Sequence, residues 1–234
     1  MEPWVADLIK DISGVIVGWA LGLASALVVE WWKERRKIGA IKVAVLRELR
    51  ETAYRLLCIV YKAEGRRGGL SRQLLEWMHP QVQRYAGPNP SEGFLAGVAG
   101  LLARSDAELA QLAAYEKVNT PPQFWPREEA SYAMAAAAQA HDLEPDYTVR
   151  LLDILSHLRM FNEVRENGIY YSRLTFAPGP LCLTPENHAK AVQNADAADE
   201  QIARRARIIV DRITALEEKE GLRSNVGTRV SLSQ

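Results

Sequence analysis

The side chains that could do chemistry gather in one basic stretch. Between Lys33 and Arg72 there are twelve Lys/Arg and four Glu, a net charge of +8, although the 234-residue chain as a whole is neutral. Arg47, Arg50, Arg55, Arg66, Arg67 and Arg72 lie past the first cluster of this stretch. Guanidinium groups recognise phosphates and carboxylates through paired N–H donors. Two readings fit: a site for an anionic nucleotide or oligonucleotide, or ion pairs with the acidic remainder of the same chain. Gly65-Arg66-Arg67-Gly68-Gly69 is glycine-rich and basic, as a phosphate loop would be. It lacks the preceding strand and the GK[ST] ending of a P-loop, which favours a solvated turn that ends a helix.

Other chemistry is thinly represented. There is no Walker A loop, GxSxG elbow or paired zinc motif, and the four histidines have no ligand spacing. Asp196, Asp199 and Glu200 crowd one segment and read as a solvated helix face. Cys58 and Cys182 are far apart and suit a reducing compartment. The chain is expected not to be an enzyme and to need neither cofactor nor metal.

Glu30 is the remaining chemical candidate. It follows an eighteen-residue uncharged run, Ile12 to Val29, which has the length of a transmembrane helix. Gly14, Gly18, Gly22 and Ala26 fall four apart within it, spacing that lets helices pack closely in lipid. In a homo-oligomer, copies of Glu30 would form a carboxylate ring at the pore mouth and attract cations. An interfacial Glu30 that simply reaches water is the plainer alternative.

The flanks resemble interface anchors: Trp4 before the run, and Trp31, Trp32, Lys33, Arg35, Arg36 and Lys37 after it. From Trp4 to Trp31 a helix rises roughly 40 Å, a bilayer with its headgroups. The basic side should face the cytoplasm, leaving the N-terminus outside.

The fold class expected is all-α. Residues 1–11 form a short tail outside the membrane, 12–32 the transmembrane helix, 33–64 a basic amphipathic stalk helix, 65–221 a cytoplasmic helical domain, and 222–234 a mobile tail. Within the domain, Leu70–Met78 should be a helix stopped by His79-Pro80. Ser105 and Glu108 form a capping box, and Pro126, Glu128 and Glu129 open the next helix. Asp146–Arg165 is a helix, a short strand is possible near Gly168–Tyr171, and Thr184-Pro185-Glu186 starts a long last helix to about Glu220. Its core face should hold Val192, Ile202, Ile209, Ile213 and Leu216.

The order of glycine-rich span, Trp31-Trp32-Lys33-Glu34-Arg35-Arg36-Lys37, basic helix and helical domain resembles single-span bacterial inner-membrane proteins. These include membrane effectors of anti-phage defence, such as the channel component of Hailong-type systems. The resemblance implies an oligomeric, pore-forming or membrane-disrupting effector in the inner membrane. Its contacts would be membrane lipid, further copies of itself, and a regulatory protein or an anionic nucleotide or oligonucleotide. A non-conducting membrane tether for a cytoplasmic partner is the alternative.

Overall fold

The computed structural model describes residues 3–85, 92–119, 124–139, 141, 143–175 and 184–221, without the side chains of 3–24 and 26. Among these residues the chain is all helix, with no strand. The helices are α1 (Pro3–Arg67), α2 (Arg72–Gln83), α3 (Glu92–Leu102), α4 (Asp106–Asn119), α5 (Ser131–Ala138), α6 (Pro145–Thr175) and α7 (Pro185–Lys219). The connections 86–91, 120–123 and 176–183 and the tail 222–234 lie outside the described residues.

The chain divides into two compact units, Met1–Ala44 and Val45–Gln234. The division falls inside the stretch expected to be a stalk. From Val45 onward α1 buries Val45, Leu49, Leu56, Leu57, Val60 and Ala63, so this half of the helix is a core element of the second unit. Its apolar spacing of three and four supplies a face to cover.

Helix α7 is the axis of that unit. It buries Ile202, Ile209, Ile213 and Leu216, while Val192 stays partly exposed, against expectation. Polar pairs set the directions of its neighbours. Arg50–Glu217, Glu64–Arg207 and Arg66–Asp199 run α1 antiparallel to it. Trp77–Asp211 and Arg84–Glu218 run α2 parallel to it. Asp146–Lys219 and Asp153–Arg212 run α6 antiparallel to it. A smaller cluster of Leu75, Val98 and Leu109, with Tyr61 and Phe94 beside it, joins α2, α3 and α4.

Local signals explain most helix ends. Gly68, at φ +74°, ends α1: its N–H donates to the Gly65 carbonyl at 3.0 Å, and that of Gly69 to Glu64 at 2.7 Å. This pair of bonds is a Schellman motif, and its left-handed residue favours glycine. Ser105 Oγ accepts from the Glu108 amide at 3.3 Å, and Glu108 Oε2 accepts from the Ser105 amide at 2.8 Å, completing the capping box. Thr184 caps α7 through the Asn187 amide.

Three boundaries depart from the sequence expectation. Pro80 sits inside α2, because buried Met78 and Val82 on either side hold the helix together; such burial offsets the roughly 3 kcal/mol of an interior proline. Residues 168–171 are helical rather than extended. Gly168 lies where a Cβ would come within 3.2 Å of the Ala198 Cβ, so its missing side chain allows α6 and α7 to approach. Finally, α5 begins at Ser131, five residues after Pro126.

Candidate functional site

The late start of α5 has a physical cause in the segment 124–133, which is held by side chains from three helices. Trp125 is buried; its indole N–H donates to Asp199 of α7 at 2.8 Å, and its carbonyl accepts from Arg165 of α6 at 2.5 Å. Glu128, 2% exposed, accepts from Arg55 of α1 at 2.8 Å. The Asn162 amide group bonds both the N–H and the carbonyl of Glu128, at 3.1 and 2.8 Å. These bonds fix a non-helical path where local sequence favours a helix start.

The first turn of α5 is closed from a distance. Ala130, at its N-cap, offers no side-chain acceptor. Glu48 of α1 replaces it, its two carboxylate oxygens accepting from the Tyr132 and Ala133 amides at 3.0 and 2.8 Å. A carboxylate there satisfies orphan amides and complements the positive end of the helix.

Five of the six arginines proposed for an anion have carboxylate partners within the chain. Arg50 meets Glu217 at 2.9 Å, and Arg55 meets Glu128. Arg66 bonds Asp199 and, at 3.1 Å, Asp196. Arg67 meets Glu200 at 2.9 Å and Glu64 at 3.5 Å. Arg72 meets Asp106 at 2.7 Å and also caps the end of α3 through the Leu102 and Arg104 carbonyls. Arg47 is exposed. The acidic run on α7 is therefore not a uniformly solvated face: Asp199 is buried between Arg66 and Trp125.

Burial pushes the carboxyls of Glu128, Asp199 and Glu217 above their ordinary range. Hydrogen bonds and charge from Arg55 oppose the shift at Glu128, the Trp125 indole and then Arg66 at Asp199, and Arg50 at Glu217. These pairs offset the desolvation of the ions they bury. Their arrangement ties α1 to the rest of the unit and leaves the arginines oriented toward protein acids.

An open groove of about 970 Å³ lies alongside this clasp, between α5 and α6. Met134, Ala137 and Ala138 form one wall, and Leu152, Leu155 and Leu158 the other. At its rim Arg127 pairs with Glu129 at 3.0 Å and Arg159 with Glu163 at 3.1 Å. An apolar floor with paired charges at the edge suits an amphipathic segment. Sequence reasoning did not find this groove or its clasp, because Glu48, Trp125, Glu128 and Asn162 carry no local pattern that pairs them.

In the N-terminal unit, the Arg35 guanidinium lies 4.4 Å from the Trp31 ring centre and that of Arg36 3.5 Å from Trp32. Lys37 pairs with Glu34 at 3.8 Å, and Glu30 and Lys33 are exposed. Trp4, Gly14, Gly18, Gly22 and Ala26 belong to α1, with side chains outside the described set. No helix of the described residues is long and apolar enough to cross a membrane; of Ile12–Val29, the side chains of 12–24 and 26 lie outside the described set. Among the described residues no group of three or more His, Cys, Asp or Glu could hold a metal. No protein-family model, no curated protein and no solved structure matches this chain.

Proposed function

We propose that this chain is an oligomeric, single-span membrane protein whose helical domain controls its first helix. The carrying observation is the exposure of Leu27, Val28, Val29, Trp31 and Trp32 on α1. At about 100° per residue these positions spread over an arc of about 200°, wider than the stripe one packed face buries, with Glu30 on the remaining side. One protein face cannot cover such a surface; lipid can. The uncharged run directly before them supplies the rest of a span.

The Arg35–Trp31 and Arg36–Trp32 stacks suit the headgroup layer, where an aromatic ring and a cation share one depth. The excess of basic residues after the run favours an external N-terminus and a cytoplasmic domain. The ladder Gly14, Gly18, Gly22 and Ala26 favours self-association, and a pore or membrane-disrupting effector is the output that fits an assembly of such spans. A place in anti-phage defence rests on the resemblance in layout.

A tether for a cytoplasmic partner is the second reading, and the groove beside α5 favours it. Two measurements separate these readings. The full chain should remain in membranes after alkaline extraction, and Leu21→Arg with Leu23→Arg should release it; extraction of the parent chain would refute the span. Purified chain in anionic vesicles should then collapse an imposed potential. Membrane retention without depolarisation would favour the tether.

A further inference from the structure

One wall of the groove is α6, whose first turn meets the end of α7. Lys219, in the last turn of α7, pairs with Asp146 in the first turn of α6. Gly221, at φ +65°, then turns the chain. On the α6 wall of the groove the nearest lining residue to that point is Leu152, which is 49% exposed. Met134 on the facing wall is 58% exposed.

We propose that this groove is the docking site of the chain's own residues 222–234. Reach permits it. Leu152 lies about 9 Å and Glu163 about 26 Å along α6 from Asp146, whereas thirteen residues extend to about 40 Å. Residues 176–183, by contrast, are tied at both ends between α6 and α7.

The chemistry also matches. Residues 222–234 contain Leu222, Val226, Val230 and Leu232, together with Arg223 and Arg229 and no acid. At the rim Glu129, Glu163 and Glu166 pair with Arg127, Arg159 and Arg165, and Glu128 with Arg55. A short segment with apolar anchors spaced along it therefore lies within reach of an apolar floor whose rim charges are already paired. This inference stands apart from the membrane reading.

Site-resolved alkylation of the full chain tests it. Met134→Cys places a thiol in the groove, and Val118→Cys on α4 places an exposed reference thiol outside it. Peptide mass mapping with a water-soluble maleimide separates both from Cys58 and Cys182. At an effective concentration of about 1 mM and an intrinsic Kd on the order of 0.1 mM, the tethered segment occupies the groove about nine-tenths of the time. Val226→Asp with Val230→Asp should accordingly speed alkylation at the Met134→Cys site about tenfold and leave the Val118→Cys site within about twofold. Equal rates with and without the tail substitutions would overturn the proposal. Protection that grows with protein concentration would overturn it too, by giving the groove to a second copy.

Discussion

Replacing Asp199 by alanine removes one acceptor and strands two buried donors. Trp125 loses the partner of its indole N–H, and Arg66, whose side chain is 13% exposed, keeps only the exposed Asp196. Removing one member of a buried ion pair costs about 3–5 kcal/mol, and a buried donor left without an acceptor about 1–3 kcal/mol. The two losses overlap, and Asp196 retains part of the Arg66 interaction, so Asp199→Ala should lose about 4 kcal/mol. Against a typical total of about 5–15 kcal/mol, that leaves the second unit marginal. Asp199→Asn keeps an acceptor for the indole and should lose about 2 kcal/mol. Arg66→Met with Asp199→Leu removes both charges and should be less destabilised than Asp199→Ala alone. Urea unfolding of the full chain in mild detergent, followed by circular dichroism and tryptophan fluorescence, measures each value. The acid dependence supplies a second check. The native carboxyl lies above its unfolded value, so the native state binds more protons. Stability attributable to this group must fall as pH rises between about 3.9 and that raised value, and the slope must vanish in Asp199→Asn. A loss below about 1 kcal/mol for Asp199→Ala, or strict additivity with Arg66→Met, would refute the reasoning.

Glu48→Ala should speed amide exchange at Tyr132 and Ala133 and destabilise α5 by about 1–2 kcal/mol, as loss of a cap does; unchanged exchange would remove Glu48 from that role. Burial, and then Arg212, lowers the His157 pKa, with Asp153 opposing and Arg205 assisting. The native state thus binds fewer protons, and stability should fall as pH drops below about 6.5; titrated thermal melts should flatten in His157→Gln. Gly168→Leu should lower stability by about 1–3 kcal/mol through overpacking against Ala198, whereas Gly168→Ala, whose Cβ meets that of Ala198 at 3.2 Å, should cost less because about 1 kcal/mol of helix propensity offsets the crowding; equal melting temperatures for the two would count against close helix approach there. For the proposed pore, Glu30→Gln should reduce cation preference without changing assembly, as read from reversal potentials in a salt gradient.

What could be read from sequence was what the chain encodes locally. The Ser105–Glu108 box, the Thr184 cap and the Gly68-Gly69 turn each complete their bonds within a few residues, so residue types and spacing suffice to predict them. The errors arose where tertiary contacts outweighed local preference. Pro80 suggested a stop, but Met78 and Val82 are buried across it. Glu128 resembled a helix-opening acid, yet its carboxylate belongs to Arg55, 73 residues earlier. Gly168 suggested a break, but it fits the face of α7. The arginines of α1 were conspicuous while their partners were not: Arg50 meets Glu217 across 167 residues and Arg66 meets Asp199 across 133. A single sequence states the charges but not which distant acid each one meets.

That separation has a kinetic consequence. The ribosome releases chains from the N-terminus, so the second half of α1 emerges early and α7, the helix that pairs with it, emerges last among the helices. Helical bundles usually fold quickly because most of their contacts are local. Here the Arg50 and Arg66 pairs close only after most of the chain has been made, and loop closure over such distances must precede any reward from them. Throughout that interval α1 carries uncovered leucines and uncompensated guanidinium groups. The nascent chain is therefore most exposed to misassociation along the helix that its final segment is built to cover.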